Sequence, residues 1–135
     1  MSEKQYKVRK VLVIDDSIMD CMINEHILLQ TNFTEKITIK YSASSAIKYL
    51  QKQVSHPKEL PDLIFLDLMM PDQDGFDFIK RFAELDCIIH YYCSIIVLSS
   101  NLDYIDYQRS LASPFVSNYL KKPLNVEELI QTLSR

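Results

Sequence analysis

Three short, uninterrupted apolar segments constrain this sequence more than any other feature. They are Val11–Ile14, Leu63–Leu66 and Ile95–Leu98, and they consist only of Val, Leu, Ile and Phe. A strand with one face in water alternates apolar and polar residues, whereas a strand covered by helices on both faces is apolar throughout. The three segments therefore predict strands at the centre of a parallel sheet that is buried on both sides.

Two weaker strand patterns and five helical patterns fill the rest of the chain. Ile37–Tyr41 alternates like a half-exposed edge strand, and Ser117–Lys121 predicts a short fifth strand. The predicted helices carry, in chain order, Ile18, Met19, Met22, Ile23 and Ile27 behind a Ser17 cap; Ala43, Ile47, Leu50 and Val54; Phe78, Ile79, Phe82 and Leu85 after Gly75; residues 104–111; and Val126, Leu129, Ile130 and Leu133 behind an Asn125 cap. Five strands alternating with five helices imply an α/β fold, with a doubly wound parallel sheet in a three-layer sandwich.

The composition excludes several classes of protein. The 135 residues are 47% hydrophobic and 24% charged, with a net charge of −3, so we expect one globular domain without the basic surface that nucleic acid or anionic membranes require. No apolar segment approaches the roughly 20 residues of a membrane span, no secretory signal is evident, and the three cysteines lack CxxC spacing. We therefore expect a cytoplasmic protein with free thiols. A single glycine, Gly75, excludes the glycine-rich phosphate loops of P-loop and Rossmann enzymes.

Polar residues follow four of the predicted strands. Asp15 and Asp16 follow the first strand, Asp67 the third, Ser99 the fourth and Lys122 the fifth. Because the carboxyl ends of parallel strands meet at one edge of a sheet, we expect these side chains to converge there. Carboxylates that converge repel one another, and Mg²⁺, which prefers oxygen ligands, relieves that repulsion. A carboxylate beside Mg²⁺, an ammonium and a hydroxyl suits phosphoryl transfer, with Asp67 as the nucleophile.

Each part of this constellation has an ordinary explanation when it stands alone. An Asp-Asp pair before a helix is more often a capping pair than a metal site, and a Ser after a strand commonly caps the next helix. A lone Lys-Pro is common in turns. The functional interpretation therefore depends on the joint placement of these residues at the ends of the correct strands.

In combination, four motifs resemble the receiver domain of two-component response regulators, of the CheY-like type. They are VLVIDDS at 11–17, LIFLDLMMPDQDG at 63–75, IIVLSS at 95–100 and YLKKP at 119–123. The resemblance implies a flavodoxin-like (βα)5 fold with strand order 2-1-3-4-5. It covers about residues 8–134, so we expect a single receiver domain over residues 1–135 with no output domain.

The resemblance also implies a role for each residue of the site. It makes Asp67 the phosphate acceptor and Asp15 and Asp16 the acidic pair that holds Mg²⁺ together with Asp67 and the backbone carbonyl of Met69. Lys122 takes the position of the family's lysine, and the peptide bond between Lys122 and Pro123 is expected to be cis.

The remaining implied residues belong to the switch and the partner surface. Ser99 takes the switch Ser/Thr position and Tyr119 the switch aromatic position. The expected phosphodonor is a sensor histidine kinase or a His-containing phosphotransfer protein. The signal then reaches an unidentified protein target through the fourth helix, fifth strand and fifth helix, with the protein a monomer or a phosphorylation-dependent dimer. The receiver is thus a switch that catalyses only its own phosphorylation and dephosphorylation, and not an enzyme acting on other substrates.

Two other functions were weighed against this one. An aspartyl-phosphate phosphohydrolase also uses Mg²⁺ and a strand-end Asp, but it expects a second acid two residues later, where this chain has Met69. A degenerate receiver would bind partners constitutively, and the complete set of site residues argues against it.

Several other segments have a structural interpretation. The apolar segment 86–93 predicts a longer third helix packed on the core in preference to an exposed partner patch. The histidines and cysteines show no ligand or nucleophile spacing, and Tyr91, Tyr92, Tyr104 and Tyr107 are expected in core and rim packing.

Overall fold

The computed structural model describes residues 8–70, 75–100 and 103–133. The strands are β1 (Val8–Ile14), β2 (Thr34–Lys40), β3 (Leu63–Asp67), β4 (Ser94–Ser99) and β5 (Val116–Lys121). The helices are α1 (Ile18–Gln30), α2 (Ala43–Lys52), α3 (Gly75–Ala83), α4 (Cys87–Tyr92), α5 (Tyr104–Leu111) and α6 (Val126–Leu133), and a 3₁₀ turn covers Pro57–Glu59. All strand pairs are parallel, in the order β2-β1-β3-β4-β5, which confirms the predicted fold and strand order.

Two apolar layers cover the two faces of this sheet. Side chains that alternate along the central strands point into opposite layers, so Leu12 and Ile64 lie on one side and Val11 and Phe65 on the other. The first layer includes residues of α2, α3 and α4, and the second includes residues of α1 and α6. The apolar segments predicted as central strands are buried along their whole length, as a sheet covered on both faces requires.

The apolar segment at 86–93 forms a separate helix, so the prediction of a longer third helix was wrong. Helix α3 ends at Ala83, and α4 begins anew because the side chain of Asp86 accepts a hydrogen bond from the amide of Ile88 at 2.9 Å. Ile89 and Cys93 are buried in the core. The segment therefore does pack on the core, but as a sixth helix that the alternation of strands and helices did not predict.

Helix α1 buries a different face from the one its apolar pattern suggested. Ile18, Met19, Met22 and Ile23 are exposed, while Cys21, Asn24 and Leu28 face the sheet. The predicted cap is confirmed, since the hydroxyl of Ser17 accepts a hydrogen bond from the amide of Asp20 at 3.1 Å. The cap therefore fixes where α1 begins.

Two of the four tyrosines were also placed wrongly by the sequence. Tyr91 and Tyr104 project into solvent, with 82% and 70% of their surface exposed. Tyr92 packs partly against the core, as predicted. Among the described residues, no helix combines the length and apolar character needed to cross a bilayer.

Candidate functional site

The register of the sheet brings the predicted site residues to one edge. Asp67, the last residue of β3, pairs with Leu98 of β4, and Ser99 pairs with Lys121 of β5. Asp15 directly follows β1, and its amide donates a hydrogen bond to the carbonyl of Lys40 at 3.2 Å. Because parallel pairing aligns the carboxyl ends, residues far apart in sequence become neighbours.

Three carboxylates converge at this edge. Asp15, Asp16 and Asp67 each present an oxygen within 4.8 Å of the other two. Asp15 and Asp67 are buried, whereas Asp16 is exposed to solvent. One Asp15 oxygen accepts a hydrogen bond from the amide of Ser17 at 2.9 Å, and one Asp67 oxygen accepts a longer bond from the amide of Met69 at 3.4 Å. The cluster is thus held by backbone donors but keeps a large negative charge.

Burial and the neighbouring charges disturb the ionisation of Asp67. Burial of Asp67, together with the nearby carboxylate of Asp15, raises the pKa of Asp67 to about 6, and the ammonium of Lys122 opposes the shift. An acid whose pKa rises in this way lacks a sufficient positive counter-charge. The donor set therefore fits a hard divalent cation such as Mg²⁺, which prefers carboxylate oxygens.

The ammonium of Lys122 lies among three carboxylates. Its Nζ is 2.8 Å from Asp15 Oδ2, 2.9 Å from Asp20 Oδ2 and 3.5 Å from Asp67 Oδ1. Burial opposes the charge on Lys122, but the hydrogen bonds to Asp15 and Asp20 outweigh it and hold the pKa of Lys122 above its usual value. The peptide bond between Lys122 and Pro123 is cis, as predicted.

Asp20 is the member of this arrangement that the sequence analysis missed. It lies in the first turn of α1, three residues after the Ser17 cap, and the start of α1 is at the same sheet edge as the site. The signal available in the sequence was this acidic residue in a helix that follows directly from the Asp15-Asp16 pair. Its partner Lys122 is 102 positions away, so local patterns gave no indication of the ion pair.

The two residues predicted to form the switch are on β4 and β5. Ser99 and Tyr119 are buried, and the ring of Tyr107 packs edge-on against Tyr119 with 5.6 Å between the ring centroids. The backbone amide of Lys122 donates to the carbonyl of Ser99 at 2.8 Å, which joins the ends of β4 and β5. Any movement at Ser99 is therefore close to both Lys122 and the strand that carries Tyr119.

Helix α3 begins against the backbone of the site. The amide of Gly75 donates to the carbonyl of Leu68 at 2.7 Å. A Cβ at position 75 would lie 2.7 Å from Leu68 Cα and 2.8 Å from the Asp67 carbonyl oxygen. Only glycine allows this approach, which holds the backbone of Asp67 and Leu68 against the start of α3.

The other chemically reactive side chains lie apart from the site or are unsuited to it. His90 Nε2 lies 2.7 Å from the carbonyl oxygen of Phe82 and its ring stacks on Phe115, so it serves packing. Cys21 and Cys93 are buried among apolar residues, and burial raises the pKa of each thiol to about 12. Cys87 is exposed. Their predicted role as small packing residues is consistent with the positions of Cys21 and Cys93.

Comparison with known proteins agrees with this geometry. The family model described as "Response regulator receiver domain" matches residues 11–134. The structure of a two component response regulator from Cytophaga hutchinsonii is 29% identical, with a TM-score of 0.87 and coverage of 95% of this chain and 96% of that one. A response regulator receiver protein from Dyadobacter fermentans is 30% identical, with a TM-score of 0.84 and coverage of 94% and 96%.

Curated sequences give the same result. "Probable methanogenesis regulatory protein FilR2" of Methanothrix harundinacea is 28% identical over 126 residues, which span 91% of this chain and 77% of that protein. The chain spans only about half the length of the Salmonella typhimurium regulators that it also matches. A family model that covers nearly the whole sequence, and solved structures that share its fold over nearly their whole length, lead to one conclusion. This chain belongs to the response regulator receiver domain family of two-component signalling.

Proposed function

We propose that this receiver accepts a phosphoryl group on Asp67 from the phosphohistidine of a sensor kinase or a phosphotransfer protein, in a Mg²⁺-dependent reaction. One observation carries the proposal: a buried carboxylate, Asp67, lies within 4.8 Å of two further carboxylates and 3.5 Å from the ammonium of Lys122. Receiver domains are signalling switches, so the modified Asp67 is the signal itself rather than a step in the turnover of a substrate.

The chemistry follows from the donors around Asp67. An oxygen of the Asp67 carboxylate attacks phosphorus, the P–N bond to the donor imidazole breaks, and that nitrogen leaves with the electron pair. Lys122 donates to a phosphoryl oxygen, and the hydroxyl of Ser99 donates to another. Asp15, Asp16, Asp67 and the backbone carbonyl of Met69 would hold Mg²⁺, which supplies positive charge against the phosphoryl oxygens.

The signal would leave the site through Ser99 and Tyr119. A phosphoryl group on Asp67 draws the Ser99 hydroxyl toward it, and Ser99 is joined to Lys122 through its backbone carbonyl. The change then reaches β5 and the surface formed by α5, β5 and α6. These are the elements that the sequence predicted as the fourth helix, the fifth strand and the fifth helix. Tyr104 and Ile105 are exposed on this surface, with 70% and 72% of their areas in solvent. This surface is the proposed contact for the target protein, or for a second copy of the phosphorylated chain.

The test is incubation with acetyl phosphate and Mg²⁺, followed by intact-mass measurement of the wild type and Asp67→Asn. The wild type should gain the mass of one phosphoryl group, and the variant should gain none because its amide is not a nucleophile. Omission of Mg²⁺ should abolish the adduct. An equal adduct on both proteins, or none on the wild type, would disprove the assignment of Asp67.

The same sample separates the switch from a phosphohydrolase. A phosphohydrolase hydrolyses its aspartyl phosphate rapidly, so it would release many equivalents of phosphate per protein molecule with little adduct present, whereas a receiver accumulates the adduct and releases phosphate slowly as that adduct decays. The exposed side chain at position 69 is Met, which cannot act as the second acid that a phosphohydrolase needs. Rapid, sustained phosphate release with no accumulated adduct would favour the enzyme.

A further inference from the structure

The ammonium of Lys122 is divided between carboxylates that have different relations to the acceptor. Asp15 belongs to the converging cluster, and Asp67 is the proposed acceptor. Asp20 is neither part of the converging cluster nor the proposed acceptor. Its Oδ2 nevertheless lies 2.9 Å from Lys122 Nζ, closer than Asp67 Oδ1 at 3.5 Å. The shortest contacts of the ammonium are therefore with side chains other than the one that it must serve.

An ammonium has three N–H donors, which limits what Lys122 can hold at once. Two of them are directed to Asp15 and Asp20 in hydrogen bonds of 2.8 and 2.9 Å. In the proposed reaction the ammonium must also donate to a phosphoryl oxygen bonded to Asp67. The carboxylate of Asp20 competes with that oxygen because both are anionic acceptors for the same donors.

Asp20 makes this contact from a partly exposed position. Its side chain is 40% exposed, and it is the backbone amide of Asp20, not the carboxylate, that bonds to the Ser17 cap. It borders a cavity of about 240 Å³ at the edge of the site. The cavity is lined by Asp20, Ile23, Asn24, Ser100, Lys122 and Pro123. Lys122 thus lies between this cavity and the acidic cluster.

We propose that Asp20 is a positioning residue that restrains Lys122 and so weakens the hold of this ammonium on the phosphoryl group at Asp67. The inference rests on the proposed function and adds a determinant of how readily the receiver becomes phosphorylated. The chain carries a built-in brake, because a phosphoryl oxygen at Asp67 must compete with the carboxylate of Asp20 for Lys122.

The test compares wild type, Asp20→Asn and Asp20→Glu in acetyl phosphate and saturating Mg²⁺, with adduct formation followed by intact mass. Removal of the charge frees Lys122, so Asp20→Asn should form the adduct about two- to fivefold faster, the size expected for loss of one partly exposed ion pair. Asp20→Glu keeps the charge and should behave as the wild type. Glu25→Gln, on the same helix, changes the net charge equally and should leave the rate unchanged.

The salt dependence of adduct formation is a second measurement. A purely structural role of Asp20 would not produce the dependence expected here. The Asp20–Lys122 pair is partly exposed and therefore screened, so the ratio of the Asp20→Asn rate to the wild-type rate should fall toward one as ionic strength rises. Equal or slower modification of Asp20→Asn, or an equal acceleration in Glu25→Gln, would overturn this inference while the wild-type adduct upholds the proposed function. No adduct on the wild type would overturn both.

Discussion

The central strands differ between their bodies and their carboxyl ends. Along β1, β3 and β4 the segments predicted as strands are buried and entirely apolar, whereas Asp15, Asp67 and Ser99 at the ends are buried and polar. Burial of the bodies removes apolar surface from water and stabilises the fold. Burial of the ends places like charges together and raises the pKa of Asp67 to about 6. The same strands thus carry stability along their length and a destabilising cluster of carboxylates at their tips.

The largest effect should come from a cavity in a strand body. Phe65, two residues before Asp67, is 1% exposed in the layer that α1 and α6 cover. Phe65→Ala should lower the free energy of unfolding by about 3–5 kcal/mol, measured by urea unfolding. Tyr91→Ala, at an exposed position, is the control and should change it by less than about 0.5 kcal/mol. Similar losses in the two variants would show that the body of β3 is not the source of stability.

The next largest loss of stability should come from the contact between the tip of β3 and the start of α3. Gly75→Ala places a methyl group 2.7 Å from Leu68 Cα and 2.8 Å from the Asp67 carbonyl, so backbone must move. We expect a loss of about 2 kcal/mol in urea unfolding, within the range for overpacked sites, and slower adduct formation because the turn after Asp67 shifts. Lys80→Ala, exposed on the same helix, should leave both measurements close to the wild type. A Gly75→Ala protein that matches Lys80→Ala would contradict the close approach.

The division between bodies and tips also explains what the sequence could predict. The strand bodies are short and continuous in sequence, so Val11–Ile14 and Ile95–Leu98 could be assigned from local pattern alone. The order of the strands and the roles at the tips came from motifs in combination, because pairing between distant segments leaves no local trace. Asp20 was missed for that reason, since its contact with Lys122 exists only once β1, β3, β4 and β5 have joined in one sheet with their carboxyl ends at the same edge.

The errors on the helices have a related cause. The apolar residues of α1 follow helical spacing, but Ile18, Met19 and Met22 face solvent because Cys21 and Leu28 already fill the contact with the sheet. Periodicity shows that a helix has an apolar face and not that this face is covered. In the segment that forms α4, a short apolar run could equally extend α3, and the Asp86 cap that separates the two helices decided the outcome.

Removal of charge from the strand tips should have a smaller effect on the free energy of unfolding, and one of opposite sign. The pKa of Asp67 is higher in the folded chain than its ordinary value, so folded protein binds more protons between that value and pH 6, and stability falls as pH rises through this range. Asp67→Asn removes the loss of stability that comes from ionising the buried Asp67 carboxyl group. In EDTA at pH 7 it should raise the free energy of unfolding by on the order of 1 kcal/mol.

The pH dependence provides the check on this prediction. The stability advantage of Asp67→Asn over the wild type should shrink below about pH 4, where Asp67 is protonated in both the folded and the unfolded chain. Mg²⁺ at pH 7 should also reduce it, because the ion would stabilise only the wild-type carboxylate. Glu35→Gln, exposed on β2, should show neither trend. An advantage that is independent of pH would mean that the buried tip does not carry the expected electrostatic cost.

The smallest effect concerns how long the tip keeps a phosphoryl group. The side chain of Met69 is 68% exposed, two residues beyond Asp67, whose carboxylate accepts a hydrogen bond from the Met69 amide. A bulky apolar side chain in this position hinders an attacking water, whereas Asn offers hydrogen bonds that can orient one. Met69→Asn should therefore shorten the lifetime of the adduct by about threefold, measured by intact mass after removal of acetyl phosphate. Met22→Asn, an equally drastic change on the exposed face of α1, should leave the decay unchanged. Because neither substitution enters the strand bodies, both should preserve the free energy of unfolding. A shorter adduct lifetime in Met69→Asn alone would show that the side chain at position 69 controls the lifetime, and an unaltered lifetime would show that it does not.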